Sequence, residues 1–355
     1  NTTFIFCILC GIIINNLIKN SMVSYAYKSI ENQDDNMPNW YRPEIDSKIL
    51  KSLMKRRNLP GLINNFCYLL LLFVAGYIAY LTWGTWWAIP AFLIYGNIYS
   101  FSNARWHEFV HRSVFRTRWL NDFFYQVFSL MDYFEAFKWR WSHTHHHSRT
   151  IHLDIDYEIQ VSRPANLWNL FVTDAFAIDR VWAEFKSTFF HSLGIMTPIA
   201  KDCVPESERW KMIWNCRFYM LVKIGVIYWA YSIGSFLPLM FWFTPLIYGG
   251  TLFQFVAMLQ HGGLKADSWD HRESTRTVYL NPILGWCMYM NMQYHIEHHI
   301  FPQIPFYNLP KLHKIIKNQM PPPNKSFFDG MKEMIPAIIK QSKDPKYHLP
   351  RELPA

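Results

Sequence analysis

Two long stretches of this chain carry no Asp, Glu, Lys or Arg. They are residues 62–104 and residues 224–264. Each is about 40 residues long, about twice the ~20 residues that a helix needs to cross a bilayer. Gly84-Thr85 divides the first stretch, and residues 232–238, which include Gly234 and Pro238, divide the second. The pattern predicts two transmembrane hairpins and therefore four membrane-spanning helices.

Basic residues stand at the open ends of both predicted hairpins, whereas the two tips are uncharged. The flanking residues are Arg56, Arg57, Arg105, Arg112, Lys211, Arg217 and Lys265. Positive residues mark the cytosolic side of a membrane protein. Both hairpins are therefore expected to return the chain to the cytosolic side.

The remaining segments are amphipathic. Residues 45–57 have helical periodicity, and residues 119–137 and 164–217 mix aromatic and charged positions as interfacial helices do. We predict an all-α integral membrane protein: four transmembrane helices in two hairpins, with a helical cytosolic cap. Its parts are an N-terminal segment with an amphipathic cytosolic lead-in (1–61), a membrane domain (62–319) and a cytosolic surface tail (320–355).

The N-terminal residues give fewer constraints. Residues 4–14 are apolar but short for a span. The chain begins with Asn1, so we expect the natural start to lie upstream. Cys7 and Cys10 have metal-ligand spacing but no second pair, which favours small apolar positions in a helix.

The charge of the chain does not indicate nucleic-acid binding. The net charge is +9 and the pI about 9.1, but the basic residues lie beside the apolar stretches. No nucleic-acid-binding module is recognised. A position next to the membrane surface explains the charge, and we expect no nucleic acid partner.

Histidines provide the candidate chemistry. The sequence His107-Glu108-Phe109-Val110-His111 follows the first hairpin, His143-Thr144-His145-His146-His147 comes next, and His295-Ile296-Glu297-His298-His299 follows the second hairpin. Spacings of i, i+3 and i+4 place imidazoles on one face of a helix. His261 stands alone at the cytosolic end of the last predicted span. Together these nine histidines predict a metal site on the cytosolic side.

The number of imidazoles constrains the metal. One zinc ion takes four ligands in structural sites and three plus water in catalytic sites. Nine imidazoles suit two metals of higher coordination number, but imidazole itself accepts iron, copper or zinc. The His107-Glu108-x-x-His111 motif alone also fits a zinc hydrolase in which Glu108 is the base. That alternative leaves the other two histidine groups unexplained.

The three histidine boxes between hydrophobic hairpins resemble the membrane fatty acid desaturase superfamily. The superfamily includes acyl desaturases, alkane hydroxylases, and carotenoid or sterol hydroxylases, and the resemblance covers residues 62–313. Residues 275–279 and 291–299, followed by Phe301-Pro302, are similar to the bacterial desaturase-like oxygenases of rhizopine catabolism. Front-end desaturases have glutamine at the first position of the third box, where this chain has His295.

The resemblance implies a non-haem site with two Fe that uses O2. It implies the metal ligands His107, His111, His143, His146, His147, His261, His295, His298 and His299. The chain has no His-Pro-Gly-Gly motif of a fused cytochrome b5, no dinucleotide fingerprint and no cysteine set for an iron–sulfur cluster. We therefore expect a separate electron donor, a ferredoxin, a rubredoxin or a cytochrome b5-type protein. It would dock on a basic surface formed by Arg112, Arg116, Arg118, Lys138 and Arg140.

Other polar residues near the boxes are weaker candidates. Six carboxylates could orient ligand imidazoles: Glu108, Asp154, Asp156, Asp267, Asp270 and Glu297. Three spare histidines lie near the boxes: His145, His152 and His271. Three others are predicted to lie on the surface: His191, His313 and His348.

The predicted function is oxygen-dependent desaturation or hydroxylation of an unactivated C–H position in a lipid or fatty-acyl substrate. The ligand set does not separate these two outcomes. The alternatives are a hydroxylase of an alkane or small non-lipid molecule, the zinc hydrolase, and a non-catalytic lipid-binding protein with a structural metal. Charge-free hairpins argue against a transporter, which is expected to place polar groups at mid-membrane.

Overall fold

The structure, a computed structural model, describes residues 40–354 and is helical throughout. The apolar segment 4–14 and the Cys7/Cys10 pair lie outside the described residues. The described part contains two isolated β-bridges and no strand. In chain order the α-helices are α1 (Ser47–Leu53), α2 (Asn58–Thr82), α3 (Ala88–Ser100), α4 (Ser102–Val110), α5 (Arg118–Met131), α6 (Ala136–Ser148), α7 (Ile178–Ser192), α8 (Pro198–Cys203), α9 (Glu206–Ser232), α10 (Leu237–Trp242), α11 (Pro245–Gly249), α12 (Thr251–His261), α13 (His271–Ser274), α14 (His295–Ile300), α15 (Leu309–Ile316) and α16 (Phe327–Gln341).

Shorter helical turns complete the chain between these elements. They are π-helical turns at Asn169–Thr173 and Ile283–Met288, and 3₁₀ turns at Phe306–Asn308 and Lys317–Gln319.

The turns predicted within the two charge-free stretches are confirmed. Helix α2 ends at Thr82 and α3 begins at Ala88, with Gly84 at φ +84° between them. Helix α9 ends at Ser232, and Gly234 at φ +60° leads into α10. Positive φ is favourable for glycine because it has no Cβ, which explains why the chain reverses at these two points.

Among the described residues, one helix is long and apolar enough to cross a membrane, and that is α2. Helix α3 has 13 residues, about 20 Å at 1.5 Å per residue. The returning half of the second stretch is divided into α10, α11 and α12, because Pro238 and Pro245 occupy first-turn positions. The four predicted spans are thus helical, but α3 is short, the last predicted span is interrupted, and α9 is long enough with 27 residues but not apolar enough to count as a candidate span.

Two glycines allow the two hairpins to pack directly on each other. A Cβ added to Gly249 of α11 would lie 2.0 Å from the backbone carbonyl carbon of Gly96 in α3. A Cβ added to Gly96 would lie 2.3 Å from the Tyr248 ring. Any larger residue would separate α3 from α11. This contact fixes the position of α4, which continues from α3 and carries the first histidine box.

Arg105 is not one of the exposed flanking cations that its sequence position predicts. Its side chain is fully buried and lies over the Tyr68 ring, 3.5 Å from the centroid. The guanidinium donates to Met288 O at 2.7 Å and to Asn64 Oδ1 at 3.2 Å. Hydrogen bonds to both terminal nitrogens offset the cost of burying this cation. Arg105 therefore ties α4 to α2 and to the π-helical turn before the third box.

The segments at both ends of the described chain pack against the box-bearing helices. In the lead-in, α1 is capped by Asp46, and its Leu53 is buried against Leu312 and Ile316 of α15. After residue 320, Met334 and Ile338 of α16 are buried against α12. This differs from the expected surface tail, because α16 presents an apolar face to the helix that ends at His261.

Candidate metal centre

The three histidine boxes lie at helix ends that meet at one point. His107 lies on α4 and His111 directly follows that helix as its C-cap. His143, His146 and His147 lie in the last two turns of α6, and the third box forms α14. Local helical spacing therefore turns the imidazoles of each box to one side, as the sequence predicts.

The nine predicted ligands come together, and eight of them form two tetrads. One ring nitrogen from each member lies within 4.8 Å of those of the other three. Tetrad A contains His107, His111, His143 and His298, and tetrad B contains His146, His261, His295 and His299. Each tetrad takes residues from distant parts of the chain. Neighbours on one helix are separated: His143 joins tetrad A, and His146 joins tetrad B.

The ninth histidine lies between the tetrads. His147 Nε2 is 3.1 Å from His143 Nε2 of tetrad A. Its ring stacks on His299 of tetrad B with 4.3 Å between centroids. His147 thus contacts both groups.

Distances between ring nitrogens fit a pair of cations. In tetrad A, His143 Nε2 is 3.1 Å from His111 Nε2, and in tetrad B, His295 Nε2 is 2.9 Å from His261 Nε2 and 3.0 Å from His299 Nε2. Two nitrogens bound at about 2.1 Å to one metal and about 90° apart are about 3.0 Å from each other. The inner nitrogens therefore have the spacing of adjacent ligands.

The outer nitrogens of three of these histidines are held by hydrogen bonds, which direct their inner nitrogens into the site. Nδ1 of His143 donates to Glu158 at 2.8 Å, and Nδ1 of His261 donates to the Ser274 carbonyl at 2.9 Å. Nδ1 of His299 donates to Thr150 Oγ1 at 3.1 Å, since that hydroxyl already donates to a backbone carbonyl. These bonds select the tautomer whose Nε2 carries a lone pair. Lone pairs that converge inside the site suit a cation.

Burial favours the uncharged imidazole at most of these positions. It is the main cause that lowers the pKa of His111 to about 3, and the neighbouring His146 lowers it further. Burial acts to lower the pKa of His146 too, but the Asp156 carboxylate outweighs it, so the net shift is upward. Buried imidazoles without protons are the form that binds metals.

His298 has two ring nitrogens without hydrogen bonds, although its side chain is fully buried. Glu108 Oε1 lies 3.3 Å from His298 Nδ1, but the two are not aligned as a hydrogen bond. Burial also raises the pKa of Glu108 to about 8. Buried polar atoms without partners are rare in proteins, and at His298 a metal would satisfy the inner nitrogen.

Of the six carboxylates predicted to orient the ligands, Asp156 orients His146, and Glu108 lies close to His298. Asp156 Oδ2 accepts from His146 Nδ1 at 2.8 Å and from the Ile151 amide at 2.8 Å. The other four carboxylates have different contacts or none. Asp154 is exposed, and Asp267 accepts from the Leu153 amide. Asp270 forms an ion pair with Arg272. Glu297 accepts from Thr277 and His313.

Sequence reasoning missed Glu158, which holds His143. Its pKa is raised to about 8, chiefly by burial, and its amide donates to Asp156 Oδ1 at 2.8 Å. Carboxylates recur at alternate positions 154, 156 and 158 directly after the second box. That pattern was the signal in the sequence from which Glu158 could have been predicted. Thr150 and the Ser274 carbonyl left no comparable signal.

Two histidines predicted to lie on the surface are buried, and those predictions are wrong. His313 Nδ1 bonds to Glu297 and its Nε2 to the Tyr279 hydroxyl. His313 therefore fixes the helix of the third box from behind. His191 is fully buried between Glu135 and Thr197. His348 is exposed, as predicted.

A third cluster of potential ligands does not fit a metal. Glu135, His191 and Cys216 are all buried and close together. His191 Nδ1 bonds to Glu135, and its Nε2 accepts from the Thr197 amide at 3.0 Å. Both ring nitrogens are occupied, so no lone pair remains for a metal. The cluster ties α7 to the start of α6.

The spare histidines lie around the tetrads without joining them. His271 is buried, and its ring stacks on Trp40 at 3.9 Å between centroids. Its ring centroid is 5.1 Å from that of His299. His152 packs on Trp269 at 4.8 Å, and His145 is partly exposed.

Strained backbone accompanies each histidine box. Arg112 follows the first box at φ +53°, Ile151 follows the second at φ +54°, and Met290 and Asn291 precede the third at φ +49° and +55°. Residues other than glycine adopt this conformation at an energetic cost, and such residues cluster at functional sites. Strained backbone therefore occurs next to all three boxes that form this site.

Asp156→Asn is expected to weaken metal binding about 10–100-fold, because the carboxylate fixes both the tautomer and the orientation of His146. The measurement is metal retained during titration with a chelator. Asp154→Asn is the matched control, since Asp154 lies in the same loop and is exposed. Equal retention by both variants would remove Asp156 from this role.

Comparison with known proteins identifies the surrounding domain. The family model described as "Fatty acid desaturase" matches residues 82–330, a range that contains all nine histidines. A protein named Delta(5) fatty acid desaturase fat-4, from Caenorhabditis elegans, is 24% identical over 238 residues. The match covers 59% of this chain and 53% of that protein, so this chain spans about half the length of its curated relative. The closer similarity to rhizopine-type oxygenases stays a prediction.

Proposed function

The chain belongs to the fatty acid desaturase family, and we propose that it is a membrane-bound di-iron oxidoreductase acting on a lipid or fatty-acyl substrate. It oxidises an unactivated C–H position at the expense of O2 and two external electrons. The observation that carries the proposal is the convergence of nine histidines as two tetrads with one histidine between them. Iron is the metal proposed because the family match covers the whole ligand set.

The proposed ligands are the four members of tetrad A, the four members of tetrad B, and His147. When bound, two ferrous ions would activate O2, and O2 is the oxidant that breaks an unactivated C–H bond. For desaturation, a CH₂–CH₂ unit, O2, two electrons and two protons give CH=CH and two waters. For hydroxylation, C–H, O2, two electrons and two protons give C–OH and one water. The same ligand set serves both, and the position of the substrate carbon decides between them.

Residues of this chain hold the site for that chemistry. Glu158 and Asp156 fix the rings of His143 and His146, and Thr150 fixes that of His299. Trp106 is buried against the His143 ring, 5.7 Å between centroids. These packed aromatic and hydrogen-bonded groups restrict ring motion and keep bulk water from the inner nitrogens.

The geometry gives less support to the zinc hydrolase. A catalytic zinc keeps three protein ligands and an open position, but His107 and His111 lie in a group of four histidines. Glu108, which would be the base, is fully buried and lies beside His298. The passive lipid-binding alternative does not account for the convergence of nine histidines.

Metal analysis combined with product analysis tests the proposal. We expect two irons per chain in protein purified anaerobically, and oxidised lipid products, by mass spectrometry, from membranes that contain the chain, a donor and O2. Membranes without the chain are the control. One zinc per chain with peptidase activity would support the hydrolase, and no bound metal would support the passive alternative.

We further propose that the charge-free hairpins lie in the membrane with the histidines on the cytosolic side. Large apolar side chains are exposed on α2, α3 and the outer half of α9. Phe73 is 69% exposed, Trp86 86% and Tyr231 83%. Soluble proteins rarely expose a continuous apolar surface of this kind, whereas a bilayer would cover it.

Cysteine labelling in sealed vesicles tests this topology. Thr85→Cys and Ser232→Cys are expected to react from the side opposite to Ser148→Cys, because the first two mark the hairpin tips and Ser148 ends the helix of the second box. These three positions are exposed. They are preferable to Gly84 and Gly234, whose positive φ would strain a cysteine. Labelling of a tip and Ser148 from the same side would contradict the topology.

A further inference from the structure

A cavity of about 260 Å³ opens beside the two tetrads. His107, His146 and His261 form one part of its wall. Aromatic and apolar residues form a second part, including Trp106, Phe134, Trp139, Phe253 and Met292. Sites for drug-sized ligands occupy roughly 300–1,000 Å³. The cavity therefore suits a compact molecule whose apolar part lies against the candidate metal ligands.

The rest of the wall is polar. Tyr157, Glu158, Gln260 and Tyr289 contribute to it and have hydrogen-bond partners in the protein. Asn103, Asp174, Arg180 and Gln254 also face the cavity, with Gln160 at its exposed edge. Within the described part of the chain, the side chains of these five residues make no hydrogen bond and no ion pair within 4.0 Å. Asn103, Asp174, Arg180 and Gln254 are half-buried, and none of these side chains has a buried polar atom without a partner. Their polar atoms are therefore open to the cavity and available to a molecule that enters it.

Arg180 is the most informative of these residues. It extends from the first turn of α7, and its guanidinium lies over the Phe134 ring, 5.2 Å from the centroid. Stacking of this kind orients the guanidinium and leaves its N–H edges free. Burial lowers the pKa of Arg180, and the carboxylates of Asp132, Asp174 and Glu184 act in the opposite direction. None of these carboxylates lies within 4.0 Å of the guanidinium to form an ion pair. A guanidinium held by its face and open at its edge suits a carboxylate.

Helix geometry gives the distance between the polar wall and the metal ligands. Asn103 precedes His107 by four residues on α4, and Gln254 precedes His261 by seven residues on α12. At 1.5 Å per residue these separations are about 6 and about 10 Å, and both spacings keep the residues on one helix face. The polar wall therefore begins one to two helical turns from the candidate metal ligands.

We propose that this cavity binds a compact anionic amphiphile with its carboxylate at Arg180 and its apolar portion against Trp106 and Phe253. The anionic group and the oxidised carbon then lie in the same cavity, because Arg180 and the candidate metal ligands His107, His146 and His261 all line it. The site thus selects substrates whose polar end enters the same cavity as the reacting carbon. The oxidation part of this statement rests on the proposed di-iron function, whereas the binding part does not.

Binding to metal-free protein tests the inference independently of catalysis. The probes are octanoate and octan-1-ol, measured by calorimetry with the full chain in lipid nanodiscs, after subtraction of binding to empty nanodiscs. We expect octanoate to bind more tightly than octan-1-ol. Arg180→Gln should weaken octanoate binding about 10–100-fold, the range for losing a hydrogen bond to a charged group. Arg116→Gln is the matched control, because Arg116 is exposed and outside the cavity.

Each outcome decides for or against the proposal. Absence of octanoate binding, equal binding of both probes, or unchanged octanoate binding by Arg180→Gln would overturn it. If Arg180→Gln does not fold, as judged by thermal unfolding, Arg180→Lys and the two-probe comparison on the unmutated chain decide instead. Octanoate binding without iron or oxidation would count against the proposed function alone. Oxidation that is indifferent to Arg180 and to the carboxylate would count against the cavity alone.

Discussion

Single replacement of a box histidine by alanine is expected to abolish substrate oxidation and to lower iron content. The variants are His143→Ala, His146→Ala, His147→Ala, His295→Ala, His298→Ala and His299→Ala. Each removes one inner nitrogen from a tetrad or, for His147, from the contact between the tetrads. An alanine leaves a buried gap that cannot bind metal, so the loss is expected to exceed that of the Asp156→Asn variant. Iron per chain and product formation are measured on the same preparations.

His348→Ala is the control for this series. His348 is exposed, and its ring Nδ1 lies 3.4 Å from the backbone carbonyl of Lys346. His191 also lies outside the boxes but is unsuitable, because it is fully buried and bonded to Glu135 and Thr197. Full activity together with full iron content in any two of the six variants would contradict the ligand assignment.

Turnover of this chain is expected to vanish when an electron carrier is omitted. Reduction of O2 in either proposed reaction consumes two external electrons, which a site made of imidazoles and carboxylates cannot generate. A ferredoxin, a rubredoxin or a cytochrome b5-type protein is the proposed donor. Oxidation with NADH and O2 alone, without a carrier, would show this expectation to be wrong. Product formation with and without each carrier is the measurement.

Turnover is also expected to fall as ionic strength rises, because an acidic carrier would be attracted to basic residues over a Debye length of about 8 Å at 0.15 M salt. Of the five predicted docking residues, Lys138 is buried and bonded to Glu184 at 2.8 Å, so it cannot contribute. Arg112 and Arg140 share Asp122. Arg116 and Arg118 are exposed and are the main candidates.

Charge neutralisation tests this docking surface. The double variant Arg116→Gln/Arg118→Gln should raise the KM for the carrier and leave kcat at saturating carrier near that of the unmutated chain. Lys346→Gln, at an exposed position in the C-terminal segment, is the control. An unchanged KM in the double variant would place the docking surface elsewhere.

The sequence alone determined those features that depend on local spacing. Histidines at i, i+3 and i+4 share a helix face whatever surrounds the helix, so the boxes formed as predicted on α4, α6 and α14. Turns at Gly84 and Gly234 followed from glycine in the middle of apolar stretches. The absence of strands in the described part agrees with the all-helical prediction. The family resemblance rested on the same local patterns and was confirmed by comparison.

Only the tertiary structure decided which distant residues meet. It placed His143 and His146, three residues apart, in different tetrads, and it brought Glu158 behind His143. It buried Lys138 and His313, which look like surface residues in a linear sequence, because their partners Glu184 and Glu297 come from other helices. It also assembled the cavity from α4, α7 and α12, whose polar faces look solvent-exposed one at a time. Periodicity reports which side of a helix is polar, and only packing decides whether that side faces water, a metal or a substrate.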